Sequence, residues 1–286
     1  MKLMFVKASG AGNDFVVVDY RLNDIPPDRS TLARTLCHRH LGIGADGVLY
    51  IEPSSKAHFR MNYYNADGSA GGMCGNGGRC SARYAALTRL APSTMKFEAL
   101  DYLYDAVVDG RIVRLHMKDP AQFRSITRLN VLDKIFDGYF INTGSPHFVT
   151  RVEELEELDV HGLGRALRHH EAFSPEGTNV NFIVRSRTGL IQRTYERGVE
   201  AETLACGTGS VASAIVHALS EGMASPVEVR VRSGELLRIH FSRAGERIQN
   251  VWLEGSAEMV FEGTADIGET LDSISITISK IDREIV

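Results

Sequence analysis

The chain has 286 residues, 43% of them hydrophobic and 24% charged, the balance of an ordinary globular protein with room for two cores. A net charge of −4 gives no chain-wide attraction for nucleic acid or an anionic membrane surface, and no apolar run approaches the roughly 18 residues of a membrane helix. The opening MKLMFVKASG carries too short an apolar run for a signal peptide, and the four cysteines, Cys37, Cys74, Cys80 and Cys206, are too sparse for a disulfide scaffold. The expectation is a cytoplasmic protein with free thiols and neither nucleic acid nor membrane as partner.

In chain order, the first hundred residues alternate short β-type runs with turns: LMFVKA, FVVVDY, VLYIE, FRMNYYN and MKFEAL. A helical pattern, TLARTLCHR, lies near Thr31–Arg39. After Cys74 the run RCSARYAALTRL is rich in helix formers and stops before Pro92, so a helix should start at the glycine turn with Cys74 at its N-terminus. The domain boundary is best placed near Lys118-Asp119-Pro120, where a strand run meets a proline. In the second half FINTGSPHFV, TNVNFIVRS, LIQRTYERG, VEVRVRS and LLRIHFS read as strands, and ACGTGSVASAIVHALSEG as another glycine turn feeding a helix. The tail from Gly263 to Val286 contains SISITI, a candidate further strand. The pattern is α+β.

An offset of 132 residues lays CGTGSVASAIVHAL over CGNGGRCSARYAAL, with Cys206 on Cys74, Gly207 on Gly75 and Gly209 on Gly77. The same offset pairs Tyr195-Glu196-Arg197 with Tyr63-Tyr64-Asn65, which points to an internal duplication.

Several chemistries could use such turns. Zinc favours closer cysteine pairs with further ligands nearby, which Cys74 and Cys80 lack. Neither turn has the G-x-x-x-x-G-K-[ST] of a phosphate loop, and G10-A-G-N-D-F15 lacks the third glycine and the helix of a dinucleotide fingerprint. What the turns do offer is backbone N–H groups at a helix N-terminus, where the macrodipole favours a thiolate or a substrate carboxylate. Most free cysteines are small core hydrophobes. Cys37 and Cys80 keep that assignment, whereas Cys74 and Cys206, at equivalent points of a repeat, suit a pair of acid/base groups that remove a proton from one face of a carbon and return it on the other.

These residues resemble the diaminopimelate epimerase family. The resemblance runs from G10-A-G-N-D-F15 to Gly263 and rests on N65-A-D-G-S69, C74-G-N-G77, G144-S-P-H147, T178-N179, Y195-E-R-G198 and A205-C-G-T-G209. It implies two pseudo-symmetric domains, 1–118 plus 263–286 and 119–262, each a mostly antiparallel sheet wrapped around a central helix, with the active site in the interdomain cleft. It further implies cofactor-independent interconversion of LL- and meso-2,6-diaminopimelate, with no metal, and a homodimer.

By position, the resemblance makes Cys74 and Cys206 the base and acid, with His147 and Glu196 orienting or deprotonating them. Asn13, Asn65, Gly75, Asn76, Asn179, Glu196, Arg197, Gly207 and Thr208 would bind substrate. Arg197 suits a carboxylate, and the asparagines suit a zwitterion. Where many members carry Asp-Gln and Gly-Asn-Pro-His, this chain has Asp46-Gly47 and Gly144-Ser145-Pro146-His147. Competing readings are a racemase of another amino acid, a Cys–His hydrolase using Cys206 and His147, and a catalytically silent amino-acid-binding protein.

Overall fold

The computed structural model describes residues 1–245, 247–268, 271 and 273–279. It is an α+β protein of two compact units: Met1–Leu115 with the described chain from Ser256 onward, and His116–Gly255. The chain returns to the first unit at Ser256, ahead of the expected crossing at Gly263. The reason is strand pairing: Glu258–Ile267 runs antiparallel to Lys2–Gly10, from Glu258 opposite Ser9 to Asp266 opposite Lys2. The SISITI segment is a strand, Ile274–Ser279, paired with Glu258–Ile267. The last seven residues of the tail lie outside the described residues. Among the described residues no helix is long and apolar enough to cross a membrane.

The two units share one internal plan. In the first, Lys2–Gly10 is antiparallel to Asn13–Asp19, which is parallel to Gly47–Glu52. That strand is antiparallel to Phe59–Asn65, which is parallel to Thr94–Ala99, itself antiparallel to Tyr102–Asp109. In the second unit the same alternation runs through Lys134–Asn142, Pro146–Arg151, Asn179–Arg185, Gly189–Glu196, Val227–Arg230 and Leu236–Ala244. FINTGSPHFV, read as one strand, is two antiparallel strands folded back at residues 143–145.

The copies differ in register by one residue. Val180 stands 132 residues after Val48, but its partner Tyr195 stands only 131 after Tyr64, the partner of Val48. Sheet register therefore matches Asn65 to Glu196, not to Arg197 as the uniform sequence offset had it.

Each parallel crossover carries a helix. The first, α1 (Arg29–Cys37), starts at Asp28, whose Oδ1 accepts from Thr31 N at 3.0 Å. The corresponding helix of the second unit starts at Asp159, whose Oδ1 accepts from Gly162 N at 2.8 Å. Such caps satisfy N–H groups that the helical pattern leaves without partners.

Gly75–Leu87 (α2) and Gly207–Glu221 (α4) behave differently from α1 and from Val160–Arg168 (α3). They are buried on almost every side, α2 against Lys2–Gly10, Asn13–Asp19 and Tyr102–Asp109 and α4 against Pro146–Arg151, Asn179–Arg185 and Val227–Arg230. Their runs of Gly, Ala and Ser let strands approach closely all round, as suits a helix buried in the middle of a unit. Phe59, Phe97 and Tyr104 stack beside α2 with centroids 5.2 and 5.6 Å apart, each pair adding about 1 kcal/mol beyond simple burial.

Candidate active site

Both Cys74 and Cys206 are the N-cap residues of their central helices, in extended backbone conformation. In the first unit Gly77 N lies 3.4 Å from Cys74 Sγ, so this thiol sits on the positive end of the helix dipole. Cys74 is half-buried and Cys206 is 5% exposed. Gly75, Asn76, Gly207 and Thr208 form the first turns, where N–H groups point along the axis, a favourable place for an anion.

Around Cys74 the polar groups are linked. Asn76 Nδ2 donates to Asn13 Oδ1 at 2.5 Å, and Asn13 Nδ2 donates to Asp46 Oδ2 at 3.0 Å. Arg39 Nη2 bridges Asp14 and Asp46 at 2.9 and 2.7 Å, and Lys7 holds the other Asp14 oxygen at 2.6 Å. Asn65 donates from its side chain to Ser69 Oγ at 2.9 Å, closing the N65-A-D-G-S69 turn. Sequence reasoning passed over Arg79, which is fully buried and donates from Nη2 to Asn76 Oδ1 at 2.9 Å. An arginine amid small helix residues was the signal available.

In the second unit, His147 is completely buried, with Nε2 3.0 Å from Thr208 Oγ1 and Nδ1 3.1 Å from Asn181 Nδ2. Burial, with the Arg197 charge adding to it, pulls the His147 imidazole down to about 3, so the ring is neutral near pH 7. Thr208 Oγ1 also lies 3.6 Å from Cys206 Sγ. Asn179 donates to Ser145 Oγ and Pro146 O and accepts from Arg197 N. Ser145 thus supplies a hydrogen-bond partner to Asn179. Glu196 Oε2 accepts from Thr203 Oγ1 at 3.0 Å.

The structure brings Asn13 and Asn76 together in one unit, and His147, Thr208 and Cys206 in the other. Three buried residues that the sequence did not single out, Asn181, Thr194 and Gln192, stand behind His147. Their signal was a row of amide and hydroxyl side chains on strands that otherwise alternate with Phe, Ile and Tyr.

Gly47 leaves no room for a side chain: a Cβ there would lie 2.3 Å from the Tyr63 ring and 2.4 Å from Tyr64 O. The Tyr63 ring, edge-on to Phe15 at 6.0 Å, occupies the space beside Gly47.

Solved structures of the same fold include a phenazine biosynthesis protein of the PhzF family from Bacillus anthracis (TM-score 0.71, 14% identity, 93% of this chain and 100% of that one). A probable proline racemase from Agrobacterium radiobacter matches with a TM-score of 0.66 at 13% identity over 93% of each chain. Further solved structures that share the fold are a methylitaconate-delta-isomerase (TM-score 0.62, 11% identity) and a hydroxyproline epimerase from Agrobacterium vitis (TM-score 0.62, 16% identity).

The family model for diaminopimelate epimerase matches residues 5–104 and 139–260. Diaminopimelate epimerases from Chlorobaculum tepidum and Aquifex aeolicus are each 44% identical, covering 90% and 91% of this chain and 98% and 96% of their own. One from Archaeoglobus fulgidus is 38% identical over 94% of this chain and 98% of its own. The chain belongs to the diaminopimelate epimerase family.

Proposed function

We propose that this protein interconverts LL- and meso-2,6-diaminopimelate by a two-thiol proton transfer, as a cytoplasmic enzyme. The observation that carries the reading is the placement of Cys74 and Cys206, each as N-cap of the buried helix of its own unit. In this reading both thiols act on one substrate carbon. The thiolate takes the proton from Cα and becomes a thiol. The other thiol gives its proton to the opposite face and becomes the thiolate. Charge and protons balance, and the two cysteines exchange protonation states with each turnover.

The α-proton of an amino acid is weakly acidic, so the developing carbanion needs preorganised dipoles at its carboxylate. The first-turn N–H groups of α2 and α4, from Gly75-Asn76 and Gly207-Thr208, supply them in this reading. Asn13, Asn65, Asn179 and Arg197 recognise the remaining polar groups, and Glu196 acts beside the thiols. A homodimer fits the same family reading.

The test is exchange in deuterated water. Wild type incubated with LL-diaminopimelate should incorporate deuterium at Cα and form the meso isomer. Cys74→Ala and Cys206→Ala should each lose epimerisation by about 10³-fold or more, the scale of a lost acid/base group. Absence of label with wild type sinks the reading. Release of product from an acyl substrate would favour a hydrolase instead.

A further inference from the structure

We infer that the buried series Gln192, Thr194, Asn181, His147 and Thr208 is a one-way chain of hydrogen-bond donors that ends on Cys206 Sγ and stabilises its thiolate, with Asn181 as the positioning residue that sets the direction. The inference rests on the reading of Cys206 as a reacting thiol.

The direction follows from the geometry. Asn181 Nδ2 lies 3.2 Å from Phe148 O, a carbonyl that only accepts, which pins the amide: nitrogen toward Phe148 and His147, oxygen toward Thr194. Asn181 Nδ2 therefore donates to His147 Nδ1 at 3.1 Å. That ring nitrogen is an acceptor and carries no proton. A neutral imidazole has one proton, so it sits on Nε2 and is donated to Thr208 Oγ1 at 3.0 Å. The hydroxyl, already accepting from histidine, turns its own proton to Cys206 Sγ at 3.6 Å.

Behind Asn181 the sense is the same. Asn181 Oδ1 accepts from Thr194 Oγ1 at 3.0 Å, so Thr194 must accept from Gln192 Nε2 at 2.8 Å. Asn181 and Thr194 are directly opposed partners on adjacent antiparallel strands. Gly209, in the first turn of α4, lets the helix approach them: a Cβ there would stand 2.4 Å from Asn181 Oδ1.

Every dipole points its positive end at the sulfur, and chained bonds in a dry interior reinforce each other. In this arrangement His147 is an orienting group whose basic nitrogen is occupied. Asn181 fixes the tautomer, and Thr208 delivers the last hydrogen bond.

The test needs no substrate, so it stands or falls separately from the epimerase reading. In Cys74→Ser protein, the iodoacetamide alkylation rate of Cys206 is followed by mass spectrometry, as the ratio of the rate at about pH 7 to that at about pH 10, where the thiol is ionised. The ratio cancels differences in access. Thr208→Val should lower it about tenfold, the scale of a hydrogen bond to a charged group. Thr208→Ser, which keeps the hydroxyl, should restore it.

Asn181→Asp should reverse the chain, because a carboxylate at this position requires a proton on His147 Nδ1, and it should lower the ratio as Thr208→Val does. Nitrogen NMR of histidine-labelled wild type, with His147 assigned by its loss in His147→Gln, should show Nδ1 bare and Nε2 protonated. A protonated Nδ1 in wild type, or an unchanged ratio in Thr208→Val, overturns the proposal even if Asn181→Asp fails to fold.

Discussion

Asn179 Oδ1 accepts the backbone N–H of Arg197 at 2.8 Å, while Asn179 Nδ2 donates to Ser145 Oγ at 2.9 Å and to Pro146 O at 2.8 Å. One buried amide therefore holds two segments, the turn before His147 and the start of the E-R-G turn. A carboxylate in its place keeps the acceptor and loses both donors, facing Pro146 O with a negative oxygen. We expect Asn179→Asp to cost about 2 kcal/mol of stability and to raise KM for diaminopimelate about tenfold. Thermal melts and steady-state kinetics matching wild type would refute this.

Gly47 is packed against the Tyr63 ring on one side and the Tyr64 carbonyl on the other. Gly47→Ala should destabilise the protein by about 2 kcal/mol through overpacking, measured by urea unfolding. Tyr63→Ala should not rescue it, because the carbonyl contact at 2.4 Å is backbone. Full recovery in the double variant would show that the ring alone sets the constraint.

Acid sensitivity follows from His147. Its ordinary value is 6.5, and burial lowers it to about 3 in the folded protein. The unfolded chain thus binds a proton that the folded chain refuses between those values, and stability falls as pH drops through that window. The loss has a limiting slope of about 1.4 kcal/mol per pH unit. The contribution fades out about one pH unit above 6.5, where the unfolded-state imidazole is also neutral. The stability of His147→Gln should decline less steeply from pH 6.5 to 4.5 than that of wild type, and parallel curves would contradict the assignment.

The four thiols should separate by reactivity. Burial pushes both Cys37 and Cys80 up to about 12, so neither ionises appreciably near pH 8. Brief iodoacetamide treatment of native protein should label Cys74 ahead of both, as read from peptide masses. Because the reaction needs one thiolate and one thiol, mild oxidation should abolish activity until a reductant is added. Labelling of Cys80 first, or activity indifferent to oxidants, would argue against these respective points.

Much of the fold was legible because its punctuation is chemical. Cys74 and Cys206 mark helix starts through the glycines that follow them, and five strands of the first hundred residues announce themselves by β-branched and aromatic runs. Tyr102–Asp109, Ile112–His116 and Ala121–Val131 did not, because charged and polar residues interrupt their alternation. The thiols and the asparagine ladder Asn13–Asn76 lay in recognisable motifs. The group behind His147 did not: Asn181 is 34 residues from it and Thr194 a further 13, and only strand pairing unites them. The only cue for Asn181 was its place in a row of amide and hydroxyl side chains, which does not name their partners.

The one-residue register slip between the copies has a consequence for how a duplicated scaffold handles handedness. Inverting a stereocentre presents mirror-related faces to the two attacking groups, and two identical halves would meet them with identical surroundings. Here the slip sets a neutral amide, Asn65, at the strand position where the other half carries a carboxylate, Glu196. The two repeats thereby present non-equivalent side chains at matched strand positions.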